Sequence, residues 1–123
     1  MVALLLTNQG TIKARGYDTQ ISDSDPTAHA EINAMRKLGK QIGSRYLGNF
    51  IIFANASSCS SCMSEAVKAH ITEFYFGAPP EPTMNPWLPM ELVAAESKNK
   101  VEIHSPINGT ECTEQIASDR KNI

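Results

Sequence analysis

The chain opens on an unbroken apolar run from Val2 to Leu6 that Thr7 closes, and a run this short predicts a strand covered on both faces. After the turn residues "NQG", the segment "TIKARGY" alternates Ile12 and Ala14 with Lys13 and Arg15. That two-residue period belongs to a strand with one wetter face, so the two segments predict a hairpin. "ISDSDPT" reads as a loop whose Pro26 and Thr27 start a helix; Ile32, Met35 and Leu38 follow at helical spacing, and Gly39 predicts the end. "NFIIFANA" predicts a third, buried strand. The serine cluster behind it predicts N-caps for a second helix carrying Met63, Ala66, Val67 and His70. "TEFYFG" is a fourth strand, and "APPEPTMNPWLP" has too many prolines for regular structure. "MELVAAESKNK" reads as a helix, "VEIH" as a short strand and "GTECTEQIASDRK" as a closing helix. Strands alternating with helices after a hairpin predict an α/β sheet with helices on both faces.

A length of 123 residues fits one domain over 1–123. The run Val2 to Leu6 is too short for the apolar core of a signal peptide and no basic residue precedes it, so a cytoplasmic protein with no membrane partner is expected. A net charge of −2 gives no general attraction to nucleic acid or anionic lipid. One stretch differs: Ile32 to Ser64 holds Arg36, Lys37, Lys40 and Arg45 and no acidic residue. A solvated helix face with its loop is a plainer reading of it than a phosphate-binding patch. Three cysteines, an odd number, argue against a disulfide framework and leave redox or metal chemistry for Cys59 and Cys62. Cys112 reads as a small buried apolar residue.

The candidate chemistry lies at the starts of the first two helices. "TAHAEI" brings His29 and Glu31, and "SSCSSCMSEAV" brings Cys59 and Cys62. Helical positions three apart share a face, so both sulfurs can reach one ion, and a helix N-terminus favours thiolates. A neutral His29 completes a three-donor set for Zn2+ and leaves one coordination place open, which is more often catalytic than structural. Glu31 then matches the general acid/base of the zinc-deaminase signature H-x-E…P-C-x-x-C, in whose proline position this chain has Ser58. A thioredoxin-like redox pair leaves "HAE" unexplained.

"DPTAHAEINAMRKLG" followed by "SSCSSCMSEAVKAHITEFYFGAP" resembles the cytidine/deoxycytidylate deaminase superfamily, and within it the guanine deaminase and tRNA adenosine deaminase branch; "VEIHSPINGTECTEQI" resembles that branch's closing strand, linker and helix. The resemblance implies a three-layer α/β/α fold around a mixed five-stranded sheet, assembled as a homodimer or higher homo-oligomer. It also implies His29, Cys59 and Cys62 as zinc ligands, Glu31 as proton shuttle, and hydrolytic release of ammonia from an aminated heterocycle. Asp18, Asn55, Ala30 and Trp87 are the candidate substrate contacts, although Trp87 also reads as packing for its loop and Asn55 as a strand terminator. The chain departs from the branch in three ways. Ser57 and Ser58 replace a frequent glutamate and the usual proline before the first cysteine. Asp18 stands where an asparagine is common, and the chain starts at the strand that a helix usually precedes.

The expected function is a zinc hydrolase for a free nucleobase, nucleoside or related small heterocycle, of guanine or cytosine type. Adenosine in a tRNA loop is the alternative substrate, and it suits a basic final helix. From Gly109 to Ile123, however, Glu111, Glu114 and Asp119 outweigh Arg120 and Lys121. A non-catalytic zinc protein on the same scaffold is a third reading, and the presence of Glu31 counts against it.

Overall fold

A computed structural model describes residues 1–78, 89–98 and 100–107. Five strands and three helices follow in the order β1 (Val2–Thr7), β2 (Ile12–Tyr17), α1 (Ala30–Ile42), β3 (Phe50–Ala56), α2 (Ser60–Lys68), β4 (Glu73–Ala78), α3 (Met90–Glu96) and β5 (Glu102–His104). The strands form one sheet in the order β2-β1-β3-β4-β5. β1 is antiparallel to both β2 and β3, and β3, β4 and β5 are parallel. This is the mixed five-stranded sheet that the family resemblance implied. At the hairpin Gly10 takes φ 88°, where a side chain would be strained, and its N–H donates to the Thr7 carbonyl (2.9 Å). No helix among the described residues is long and apolar enough to cross a membrane.

The core lies between the sheet and the helices. Ala3, Leu5, Ile52, Ala54, Phe74 and Phe76 point into it from alternate strand positions, and Leu38, Met63 and Met90 meet them from the three helices. Full burial of each large side chain contributes roughly 1.5–3 kcal/mol. Around β2 the contact surface is made of small residues instead. A Cβ on Gly16 would come within 2.1 Å of the Ala30 carbonyl oxygen and 2.4 Å of the Ala34 nitrogen. The absent side chain lets the first turn of α1 lie directly on the strand backbone, and so fixes the level at which His29 and Glu31 emerge.

Several boundaries differ from the sequence pattern. α1 starts at Ala30 with His29 as its N-cap, three residues past the predicted start at Pro26 and Thr27. The reason is Asp25, whose Oδ1 accepts from the Thr27 N–H (2.8 Å) and hydroxyl (2.7 Å) and closes a side-chain turn that competes with helix. Those bonds also hold the Asp25 carboxyl below its usual pKa. α1 runs past Gly39 to Ile42 and ends on Gly43, which takes the left-handed conformation at φ 66°. His70 lies beyond the end of α2 with φ 70° rather than within the helix. Arg36, Lys37, Lys40 and Arg45 are all exposed. The predicted helix over 109–121, with Cys112, and Trp87 fall outside the described residues.

Candidate active site

The starts of α1 and α2 face one another, and each puts a metal-ligand type of side chain at its N-cap. His29 caps α1 with φ −70° and ψ 157°, and its carbonyl accepts the Asn33 N–H (2.9 Å). Cys59 caps α2 with φ −78° and ψ 172°, and its carbonyl accepts the Met63 N–H (3.1 Å). Neither side chain caps its own helix, so imidazole and thiol remain available to the site. Cys62 and Glu31 follow in the first turns and are 1% exposed. Asn33, one turn into α1, donates its side-chain amide to the Tyr17 carbonyl (2.7 Å) and the Thr19 hydroxyl (2.8 Å), which ties the preceding loop to the helix start.

Three donor atoms converge. Cys59 Sγ lies 3.6 Å from Cys62 Sγ and 3.7 Å from His29 Nδ1, and the ligand atoms of all three residues fall within 4.8 Å of one another. Around a tetrahedral zinc ion, with bonds of ~2.3 Å to sulfur and ~2.0 Å to nitrogen, ligand atoms are about 3.5–3.8 Å apart. The residues therefore fit zinc, with soft sulfur donors and one place left over. A second group, Glu73, Glu102 and His104, is equally close together but sits at the β4/β5 edge of the sheet with no sulfur donor.

The electrostatics follow from that crowding. The hydrogen bond between the sulfurs, followed by the one with His29, pulls the Cys59 thiol down to about 3. The same bond, burial and the Glu31 carboxyl push the Cys62 thiol up. His29 is raised to about 9, first by its hydrogen bond with Cys59 and then, against desolvation, by the charges of Cys59, Glu31 and Asp18. Burial raises the Glu31 pKa against the hydrogen bond from Ser58.

The serines do not cap α2 as the sequence pattern predicted. Ser57 donates its N–H (3.0 Å) and hydroxyl (3.1 Å) to the Ala78 carbonyl at the end of β4. Ser58 donates its hydroxyl to Glu31 Oε2 at 2.7 Å, and Ser61 Oγ lies 3.0 Å from Cys59 Sγ. Glu31 Oε1 is buried with no hydrogen-bond partner among the described residues. Cys59 also forms a backbone bridge with Pro89, the N-cap of α3.

The candidate substrate contacts are unequally placed. Asp18 is exposed, accepts from the Gln20 N–H (3.0 Å) and side-chain amide (2.8 Å), and acts on His29 through its charge. Asn55 is 5% exposed, and its Oδ1 accepts the Val2 N–H (3.0 Å), joining β3 to the start of β1. Ala30 is fully buried in the first turn of α1 beneath the site. Sequence reasoning missed Gly16, whose interruption of an otherwise regular strand was the available signal, and it missed the Ser58 to Glu31 bond.

Sheet order, helix placement and paired ligand-bearing N-caps together define a cytidine-deaminase-like α/β protein. Residues 1–78 match the family description "Cytidine and deoxycytidylate deaminase zinc-binding region". The chain is 31% identical over 122 residues to a tRNA-specific adenosine deaminase of Buchnera aphidicola subsp. Schizaphis graminum, spanning 98% of this chain and 80% of that protein. It is 30% identical over 74 residues to a guanine deaminase of Bacillus subtilis, spanning 60% of this chain and 47% of that one. A solved structure from studies of A-to-I editing by tRNA:A34 deaminases shares the fold, with a TM-score of 0.79 at 23% identity over 92% of this chain and 82% of that one. The chain belongs to the cytidine and deoxycytidylate deaminase family. It is an enzyme of the deaminase class.

Proposed function

We propose that the chain is a zinc-dependent hydrolytic deaminase of a free nucleobase, nucleoside or related small heterocycle, with a guanine- or cytosine-type ring. One observation carries this reading: Glu31, a carboxyl 1% exposed, is buried beside three convergent donors. His29, Cys59 and Cys62 would hold the zinc. When bound, it supplies a Lewis acid that makes water nucleophilic near neutral pH. Glu31 would take one proton from the attacking water on its carboxyl and pass it to a ring nitrogen as oxygen adds to the amine-bearing carbon; it would then take the remaining hydroxyl proton and give it to the departing amine as the carbonyl forms. A C–N bond is exchanged for C–O and ammonia leaves. The raised pKa of Glu31 suits a group that both accepts and returns a proton. Asp18, which accepts but does not donate when ionised, and the backbone at Ala30 are proposed to meet the ring, with Asn55 and Trp87 as further candidates. The guanine deaminase of Bacillus subtilis supports the small-ring reading.

Adenosine in tRNA is the second reading. It is supported by the Buchnera relative and by a surface pocket lined by Arg45, Tyr46, Lys68 and His70, where the Tyr46 and His70 rings lie 5.1 Å apart. Two cations beside two rings suit phosphate and base. A single domain over 1–123, a cytoplasmic location and a homodimer or higher homo-oligomer belong to the proposal too; light scattering on the purified protein tests the last. Ammonia release across guanine, cytosine, adenine, cytidine, guanosine and dCMP tests the substrate. Turnover of a free base or nucleoside upholds the first reading. Turnover restricted to a tRNA, with tight and strongly salt-dependent binding, replaces it with the second.

A further inference from the structure

Serine at position 58 is where this chain departs from the family pattern, and its hydroxyl is committed to one partner. Ser58 is 2% exposed, and Oγ–H donates to Glu31 Oε2 at 2.7 Å. The competing uses of that hydroxyl do not arise here: Cys59 occupies the N-cap of α2, and Ser57 already holds the Ala78 carbonyl. A proline at 58 has no donor to offer. Glu31 is two residues from His29 on α1, and Ser58 is bonded to Cys59 at the start of α2, so this hydrogen bond links the two helix starts through the carboxyl itself.

The last torsion of a glutamate is broad and roughly two-fold, so its two oxygens exchange unless something distinguishes them. Here one oxygen is bonded to a buried hydroxyl, while Oε1 has no partner among the described residues. We propose that Ser58 is a positioning residue whose hydroxyl holds the Glu31 carboxyl by Oε2 and thereby reserves Oε1 for proton transfer. The proposal rests on Glu31 being the proton carrier, as read above. Short hydrogen bonds to an ionised acceptor are the stronger kind and are directional, so one such bond is enough to select an orientation.

The test uses the full chain loaded with zinc, as wild type, Ser58→Ala, Ser58→Thr and Glu31→Gln, with guanine as the first substrate. Ser58→Ala is expected to lower kcat about tenfold with KM and zinc content unchanged, a part of the roughly 10²–10⁴-fold that a positioned acid–base contributes. Ser58→Thr, which keeps the hydroxyl, is expected to restore kcat. A second readout needs no turnover: the infrared difference spectrum of wild type minus Glu31→Gln isolates the Glu31 carboxylate, and Ser58→Ala is expected to shift that band. An unshifted band overturns the proposal, as does an unchanged kcat in Ser58→Ala. Glu31→Gln separates the two levels. If it is inactive while Ser58→Ala behaves as wild type, only the positioning role fails; if it is fully active, the proton-carrier reading fails.

Discussion

Two places among the described residues bring three ligand-type side chains within 4.8 Å of one another, and they differ in almost everything else. Glu73, Glu102 and His104 meet because β4 and β5 run in register, with Glu73 opposite Glu102 and Tyr75 opposite His104. Their partners lie along the same strands: the Tyr75 hydroxyl donates to Glu73, and the Tyr75 and His104 rings stack at 4.5 Å. The Glu102 and His104 side chains are 54% and 46% exposed. His29, Cys59 and Cys62 meet only because two helices begin at the same place. They bring soft sulfur donors, and a buried carboxyl stands beside them. Proximity of ligand atoms is therefore common to both groups, while donor softness, burial and an adjacent buried carboxyl set only one apart as the candidate reaction centre.

The comparison is broken most sharply at the carboxyls. Glu31→Gln is expected to lower turnover by about 10²–10⁴-fold with zinc retained, whereas Glu73→Gln leaves turnover unchanged; ammonia release and metal analysis on the same samples decide it. Next come the ligands. Cys62→Ser is expected to weaken zinc binding by more than the roughly 10–100-fold typical of losing an outer partner, while His104→Gln leaves zinc at one per chain, as titration with a competing chelator shows.

Protons give the next effect. His29, raised to about 9, is protonated at neutral pH in the metal-free site, and Cys62, also raised, keeps its thiol proton. Zinc must displace both, so its apparent affinity is expected to rise with pH between 6 and 9, by about tenfold per unit for each proton released. Affinity that stays flat with pH, measured by calorimetry in buffers of different ionisation heat, contradicts this.

The smallest effect is on stability. Burial raises the pKa of Glu31, so the unfolded chain ionises first as pH rises, and the metal-free fold loses stability once pH passes the unfolded value near 4.5. Glu31→Gln removes that loss. It is expected to stabilise the metal-free protein at pH 7 by about 1–3 kcal/mol, the range for an unsatisfied buried group, and by less at pH 4. Urea melts at the two pH values check the sign.

Much of this was legible in the sequence. The five strands stand where alternation and apolar runs put them, because backbone period and burial act locally. That His29, Cys59 and Cys62 come together beside a buried Glu31 was legible because a zinc-type donor set calls for residue types that packing alone does not. The start of α1 was not: "DPT" carries the marks of a helix start, and only the Asp25 bonds to Thr27 show that a turn wins there. The serines misled for a related reason. A hydroxyl before a helix is ordinarily a cap, but with Cys59 as the capping residue those of Ser57 and Ser58 found partners on β4 and α1, contacts that exist only after the sheet has formed.

The described residues on either side of 79–88 show how firmly the first sulfur is held. Before this segment, the Ala78 carbonyl accepts two bonds from Ser57; after it, Pro89 is bridged to Cys59. Both roots are thus pinned to the stretch that carries the first sulfur. The first sulfur is therefore braced from outside its own helix: Ser57 ties the backbone just ahead of it to the end of β4, and Pro89 ties Cys59 itself to the start of α3, so its position does not depend on the first turn of α2 alone.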